Sequence, residues 1–169
     1  MTPRQVAAFL SGDADRAVKD LRRAWDPLLA DRVDPHITLV YELDDSADVR
    51  HDLMAVAGTT PRFQVWLGKA IRWGPPKDGI AIEVVDRDDG LDQLLAGLRG
   101  RGFRTTGRAH VTLVHGRTVE IARLDSAWES LKDQDLQVGQ TVERLAVIER
   151  RGESWIRSYE CRLAGALGR

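Results

Sequence analysis

Cysteine is nearly absent from this sequence, and the single Cys161 has no partner for an internal disulfide. For the same reason a zinc site built from cysteines is excluded. No apolar stretch approaches the ~20 residues that a helix needs to cross a bilayer. The strand-like run near the start of the chain is too short for a secretory signal. Together these absences favour a protein of the reducing cytoplasm that has no membrane association.

A strong excess of positive charge is also lacking. The formal net charge is −1, which argues against a general nucleic-acid coat protein, because such proteins are basic over their whole surface. Hydrophobic residues make up 43% and charged residues 30% of the 169 positions, as in ordinary soluble globular proteins. A chain of this length folds as one compact domain or as two closely packed lobes.

A tetrapeptide that combines histidine and threonine occurs twice, as His-Ile-Thr-Leu at 36–39 and as His-Val-Thr-Leu at 110–113. Side chains alternate between the two faces of a strand, so each copy presents its histidine and threonine on one face and its apolar residues on the other. Each copy therefore predicts a proton-transfer group beside a hydrogen-bond donor, on a strand held by its apolar side.

The surroundings of the two tetrapeptides are also similar. An apolar run precedes each copy at the same separation, at 6–10 and at 80–85, and helical periodicity alternates with strand-like segments throughout. A repeat of this kind predicts two halves, near 1–76 and 77–169, related by a pseudo-twofold axis. We expect a single α/β (α+β) domain with four helices and about seven strands, mainly antiparallel within each lobe, and a central cleft between the two motif strands.

Two histidines and two threonines without a carboxylate partner suit the cleavage of a phosphodiester. That reaction needs a base for the attacking oxygen and an acid for the leaving oxygen, and imidazole titrates near neutral pH. Hydroxyl groups on rigid strands can donate to the phosphoryl oxygens. The pattern requires neither a metal ion nor a cofactor, and no spacing in the sequence supplies a third zinc ligand.

Positive charge is concentrated in two stretches without an acidic residue, 62–77 and 99–117, and the second contains the second motif. Such stretches are either solvated faces or anion-binding surfaces, and arginine forks suit phosphate particularly well. A tryptophan near a loop can stack on a base, although packing is the alternative. The candidate substrate-binding residues at the mouth of the cleft are Trp73, Lys77, Arg104, Arg108 and Arg117.

The paired motifs, their separation and the duplicated layout resemble the 2H phosphoesterase superfamily, and within it the bacterial RNA 2′,3′-cyclic phosphodiesterases, also called 2′-5′ RNA ligases. The resemblance implies a bilobal fold with two mainly antiparallel sheets flanked by helices around a central cleft. It also implies metal-independent hydrolysis or transesterification of 2′,3′-cyclic or 2′,5′-phosphodiesters. The catalytic residues it implies are His36, Thr38, His110 and Thr112.

In this interpretation His110 is the base that activates water, His36 is the acid, and both threonines hold phosphate oxygens. The two histidines could exchange roles, because the halves of the sequence are symmetric. Members of the family often have proline before the second histidine, where this chain has Ala109, whereas Pro35 does precede His36. Arginine commonly follows their second motif closely, but here two residues come before Arg117.

The expected substrates are RNA ends with a 2′,3′-cyclic phosphate, or small cyclic nucleotides, and the expected state is a monomer. Alternative enzymes are a phosphodiesterase for linear 2′-5′ or cyclic oligonucleotides and an RNA 2′-5′ ligase. A protein that only binds nucleotide ends is a further alternative, but it would have no need for two proton-transfer groups. Strand alternation places His115 on the face opposite His110, and Trp25 and Trp128 are expected in the core.

Overall fold

The computed structural model describes residues 2–43, 49–74 and 78–165. Its strands form two four-stranded sheets in which all neighbouring strands are antiparallel. The first sheet has the order β2-β1-β7-β8, formed by β1 (Arg4–Phe9), β2 (His36–Val40), β7 (Arg144–Arg151) and β8 (Ser154–Arg162). The second has the order β5-β4-β3-β6, formed by β3 (Phe63–Trp73), β4 (Gly79–Val85), β5 (His110–His115) and β6 (Asp135–Val142).

Helices flank both sheets, and together they confirm the expected α+β class with two antiparallel sheets. The described helices are α1 (Gly12–Trp25), α2 (Pro27–Arg32), α3 (Val49–Thr59), α4 (Gly90–Gly100) and α5 (Ile121–Leu131). Helical periodicity over 13–30 predicts one helix that Pro27 ends or kinks. The structure divides this segment before Pro27, which has no N–H to donate and starts α2. Asp26 caps α2, because its Oδ1 accepts a hydrogen bond of 2.9 Å from the backbone N–H of Leu29. The sequence offers Ser46 or Asp48 as a cap for α3, and both lie outside the described residues.

The apolar residues of the two motifs anchor their strands in the core. Ile37, Leu39, Val111 and Leu113 are completely buried, whereas the histidines and threonines between them retain some exposure. Burying a side chain such as leucine contributes about 1.5–3 kcal/mol. The expected alternation of each tetrapeptide is therefore confirmed, and the burial of one side leaves the histidine and threonine on the other side partly exposed.

The division of the chain between the sheets differs from the predicted halves, 1–76 and 77–169. Strand β3 lies before the predicted boundary but pairs with β4 and β6, and β7 and β8 return to pair with β1. The Gly-Pro-Pro sequence at 74–76 predicts a break between lobes, but the strands on either side of it, β3 and β4, pair with each other. Backbone pairing across this short connection is favourable, because it satisfies the hydrogen bonds of both strands. Each sheet is thus assembled from both halves of the sequence.

The sequence pattern predicts one strand over 140–149, whereas the structure has two strands in this region, β6 and β7. The segment from Asp135 to Val142 contains glutamine and glycine at exposed positions and lies at the edge of the second sheet, so it lacks the hydrophobic pattern of an inner strand.

Trp25 and Trp128 pack against the core while remaining partly exposed. Within the described part of the chain, none of the helices has the length and apolar content that a membrane span requires.

Candidate active site

The two motif strands are edge strands, and they meet where the sheets approach each other. Thr105, in the segment before β5, forms an isolated antiparallel bridge with Val40 at the end of β2. Next to it, the backbone N–H of Thr106 donates to the carbonyl of Leu39 at 2.9 Å. These main-chain contacts connect one sheet to the other and bring β2 beside β5.

The two histidines have the same local arrangement. Nδ1 of His36 lies 2.8 Å from the carbonyl oxygen of Asp34, and Nδ1 of His110 lies 2.8 Å from the carbonyl oxygen of Arg108. A carbonyl oxygen only accepts hydrogen bonds, so Nδ1 carries the proton in each ring and donates it. Nε2 is left as the atom of each imidazole that can accept or release a proton during a reaction.

The environment favours the neutral form of both rings. Burial is the main cause that lowers the pKa of His36 from 6.5 to about 4, and the hydrogen bond to the Asp34 carbonyl opposes it. The charges of Arg22 and of a protonated His110 lower the pKa of His36 further. Burial also lowers the pKa of His110, with Arg108 as a further cause. A charge on His110 would lower the pKa of His36 further, so the protonation of the two rings is linked. In the free protein both are therefore neutral at pH 7, and a bound phosphate is needed to favour a protonated ring.

Thr38 and Thr112 share the open faces of their strands with the histidines. The phenol of Tyr41 hydrogen-bonds with the hydroxyl groups of Thr38 and Thr106, and burial raises the pKa of that phenol. Sequence reasoning missed Tyr41, because it follows the last residue of β2 and the motif gives no signal for it. Its hydroxyl group extends the line of donors beside the first histidine.

The predicted binding residues differ in how close they lie to the motif histidines. The ring of Trp73 contacts that of His110, with centroids 4.3 Å apart. Arg108 lies close to the same histidine but pairs with Glu83 at 3.5 Å, and Arg104 pairs with Glu42 at 3.5 Å through side chains that are more than four-fifths exposed. Both ion pairs are exposed enough to be weak and exchangeable. Lys77 lies outside the described residues.

The backbone of Arg117 contacts His115, the second histidine of β5, and not a motif residue. Its backbone N–H donates to Nδ1 of His115 at 3.0 Å. Burial, followed by the charge of Arg117, lowers the pKa of His115. His115 is exposed at the end of its strand, two residues from Arg117. No contact described for Arg117 reaches the motif residues.

Two further residues near the first histidine were not among the predicted ones. The ring of Phe9, opposite His36 in the pairing of β1 with β2, lies 5.4 Å from the imidazole. The guanidinium of Arg157 lies 3.7 Å above the ring of Phe9 and pairs with Asp34 at 3.7 Å. The apolar run at 6–10 could have indicated Phe9, but Arg157 is distant in sequence and had no such signal. Each histidine thus has an aromatic neighbour, Phe9 for His36 and Trp73 for His110.

Among the residues that the structure describes, no group of three or more histidine, cysteine, aspartate or glutamate side chains could hold a metal ion. The side chains described at the site are two imidazoles, hydroxyl groups, arginines and aromatic rings. This combination can transfer protons to and from a bound phosphate ester.

Comparison with known proteins gives a family and several related folds. The model of the 2′-5′ RNA ligase superfamily matches residues 10–154. A search of curated protein sequences finds no significant match. Among solved structures, TT0787 of Thermus thermophilus is similar over 96% of this chain and 98% of its own, with a TM-score of 0.70 and 17% identity.

Two solved complexes have the same fold. Escherichia coli LigT complexed with 3′-AMP matches over 96% of this chain and 98% of its own, with a TM-score of 0.58 and 19% identity. Kluyveromyces marxianus Usb1 with uridine monophosphate matches over 92% of this chain and 97% of its own, with a TM-score of 0.54 and 11% identity. With the family match across most of its length, the chain belongs to the 2′-5′ RNA ligase superfamily of 2H phosphoesterases.

Proposed function

We propose that this protein is a metal-independent phosphodiesterase that hydrolyses 2′,3′-cyclic phosphates of RNA ends or of nucleotides. The observation that carries the proposal is the matched arrangement of His36 and His110. Each donates from Nδ1 to a main-chain carbonyl two residues earlier, on adjacent strands of different sheets. An arrangement that leaves two Nε2 atoms for proton transfer suits a reaction with one base and one acid.

The reaction consists of one displacement at phosphorus. A water oxygen forms a bond to phosphorus while one histidine removes a proton from that water. The bond from phosphorus to one ribose oxygen breaks, and that oxygen leaves with the electron pair and takes a proton from the second histidine. The product is a phosphate monoester on the other ribose oxygen, and transfer of a proton between solvent and the histidines restores the starting state.

The electrostatics favour His36 as the base and His110 as the acid, the reverse of the assignment made from sequence. The pKa of His36 is about 4, and burial is its main cause, so this ring is neutral before substrate binds. Burial also lowers the pKa of His110, and the positive charge of Arg108 lowers it further. The negative charge of a bound phosphate raises the pKa of both neighbouring imidazoles. The large effect of burial on His36 is what favours His36 as the base, and this leaves His110 as the acid.

The remaining groups have supporting roles in this proposal. Thr38 and Thr112 donate hydrogen bonds to the nonbridging phosphoryl oxygens, and Tyr41 orients the hydroxyl group of Thr38. Trp73 offers a surface for a base beside His110. Arg104 and Arg108 attract the anionic substrate, because their exposed ion pairs can open at little cost. Lys77 and Arg117 remain candidates only from their positions in the sequence.

The substrate class is supported by the relatives with bound ligands. E. coli LigT is solved with 3′-AMP and K. marxianus Usb1 with uridine monophosphate, and both ligands combine a base, a ribose and a phosphate. Both motif histidines come from one chain, so catalysis needs no second subunit, and we propose a cytoplasmic monomer without a cofactor. The same site could also join RNA ends, if a ribose hydroxyl group of a second RNA end attacks phosphorus in place of water. The family's ligase designation favours this second activity.

The test is incubation with 2′,3′-cyclic nucleotides and with 2′-5′-linked dinucleotides in the presence of EDTA, followed by chromatographic separation of the products. We expect hydrolysis of the cyclic phosphates at an unchanged rate after chelation. Loss of activity in EDTA with recovery on addition of a divalent metal would contradict the mechanism. Cleavage of the dinucleotides alone would contradict the proposed substrate but not the acid–base chemistry.

A further inference from the structure

Arg22 is a buried arginine that the proposed reaction does not yet use. It lies in the last turn of α1, and its side chain belongs to a residue that is only 1% exposed. Burial lowers its pKa to about 10, against the opposing effects of Asp26, Asp34 and Asp15. It is therefore still cationic at neutral pH. A buried charge is costly to keep unless specific contacts compensate for it, so its contacts are informative.

These contacts go to the main chain on both sides of the cleft. Nε donates to the carbonyl of Thr112, within the second motif, at 2.9 Å. Nη1 donates to the carbonyl of Val33, three residues before His36, at 2.8 Å. Thr112 belongs to the second sheet, and Val33 leads into β2 of the first. One planar guanidinium group thus spans the two backbones that carry the histidines.

The neighbouring turn supports the same strand. Asp26 is completely buried, and its Oδ2 accepts from the backbone N–H of His115 at 2.9 Å and from the hydroxyl group of Thr118. Its Oδ1 caps α2. Strand β5 is consequently held at two points, by Arg22 at Thr112 and by Asp26 at His115, from the junction of α1 and α2.

We propose that Arg22 is the positioning residue that sets the separation of the two motif strands, and hence of the two histidines, in the reaction proposed above. The inference rests on that reaction, because the separation of the histidines limits the rate only if both act on the same phosphate. The rigid fork of arginine suits this role, since it fixes two acceptors at once, whereas lysine is a flexible point charge.

The charge of Arg22 has a second consequence for the same site. It is one of the groups that keep His36 neutral, together with burial and the charge of His110, and Asp34 is the facing group that opposes them. A substitution that removes the charge should raise the pKa of His36, and one that keeps the charge should not. The strand separation and the protonation of His36 can therefore be tested separately.

The experiment compares Arg22→Met and Arg22→Lys with matched substitutions of Arg23, the next residue on α1, whose exposed side chain pairs with Asp20. Activity is measured as kcat and KM on a 2′,3′-cyclic nucleotide across pH, and the histidine rings are titrated by NMR without substrate. We expect both Arg22 variants to lose roughly 10- to 100-fold in kcat, the effect of a displacement of about 1 Å. KM should change less than about threefold, because the binding groups remain.

The titration of His36 should move upward in Arg22→Met and stay near the wild-type value in Arg22→Lys, while the Arg23 variants match the wild type in every measurement. Wild-type kcat in Arg22→Lys would overturn the positioning role. So would a loss of kcat in both variants that is fully explained by a smaller folded fraction in thermal melts. If Arg22→Met does not fold, Arg22→Lys alone decides by its kcat. If the wild type lacks phosphodiesterase activity, the proposed function fails, but NMR still tests whether Arg22 acts on His36.

Discussion

Trp73 packs against the imidazole of His110 in an edge-to-face arrangement, with ring centroids 4.3 Å apart and ring planes at 71°. Phe9 occupies a similar place beside His36, at 5.4 Å and 50°. Edge-to-face contacts restrict the orientation of a ring without using its hydrogen-bonding atoms. Each histidine is therefore held by a carbonyl at Nδ1 and by an aromatic neighbour, and Nε2 is not needed for either contact.

Replacing Trp73 tests its role as a base-stacking surface and as a support for His110. Trp73→Ala should lower kcat/KM roughly tenfold, because stacking of one base on an aromatic side chain contributes about 1–3 kcal/mol. Trp73→Phe should retain most of the activity. The measurement is steady-state kinetics on cyclic nucleotides with different bases. Trp155→Ala in β8 is the control and should match the wild type; equal effects of the two alanine variants would remove the special role of Trp73.

Removal of either motif histidine should abolish most of the activity. His36→Ala and His110→Ala should each lower kcat by roughly 10²- to 10⁴-fold, which is the usual contribution of a positioned acid or base. The matched control is His115→Asn, because an asparagine side chain can still accept the hydrogen bond from the backbone N–H of Arg117. The kcat of this control should stay close to the wild-type value. Circular dichroism checks that all three variants fold.

The pH dependence of the rate should be bell-shaped, and different for the free protein and for the substrate complex. Because burial lowers the pKa of both histidines, the profile of kcat/KM should reach its maximum on the acidic side of neutrality. Bound phosphate favours protonated imidazole, so the basic limb of kcat should lie at higher pH than that of kcat/KM. The two limbs are properties of a coupled pair.

The single alanine variants assign these limbs to residues. His36→Ala should lose the acidic limb and His110→Ala the basic limb, if His36 is the base. The opposite result would restore the assignment made from sequence. A flat wild-type profile between about pH 4 and 9, with chemistry as the slow step, would contradict catalysis by two histidines.

Stability should also depend on pH through His36. Its pKa is 6.5 in its ordinary state and about 4 in the folded protein, so between these values the unfolded chain binds more protons than the folded one. The free energy of unfolding should therefore fall as the pH is lowered from about 6.5 to about 4, and the penalty is absent above 6.5. The half-buried ring should account for a loss of roughly 1–2 kcal/mol.

The measurement is urea denaturation of the wild type and of His36→Asn at pH 7 and pH 4.5. Other groups titrate in this range, and the variant removes only the contribution of His36. The variant should thus lose less stability than the wild type on acidification. An equal loss in both proteins would mean that His36 is protonated in the folded state at a normal pH.

The local sequence was sufficient to predict those features of the fold that depend on residues close together in the chain. The alternation of each tetrapeptide places Ile37 and Leu39, and Val111 and Leu113, in the core, and the cleft face follows from it because strand geometry has a period of two. Pro27 ends the first helix because its ring and missing N–H act on the adjacent turn. The family resemblance rested on these two tetrapeptides together with their separation and the duplicated layout of the sequence.

Sheet membership and the contacts between remote residues depended on the tertiary structure. The sequence does not record that β3 joins the second sheet and β8 the first, because strand partners are chosen by hydrogen bonding and burial over long separations. Phe9 and Arg157 come near His36 through strand pairing within the first sheet, over long separations in sequence for Arg157. Arg22 contacts the segments of both motifs only where the two sheets meet. The sequence by itself determined which side chains face the cleft, since that choice is made within a few residues of strand. Only the packing of the two sheets decided which remote side chains hold the histidines apart and control their charge, since burial and Coulomb interactions act across space.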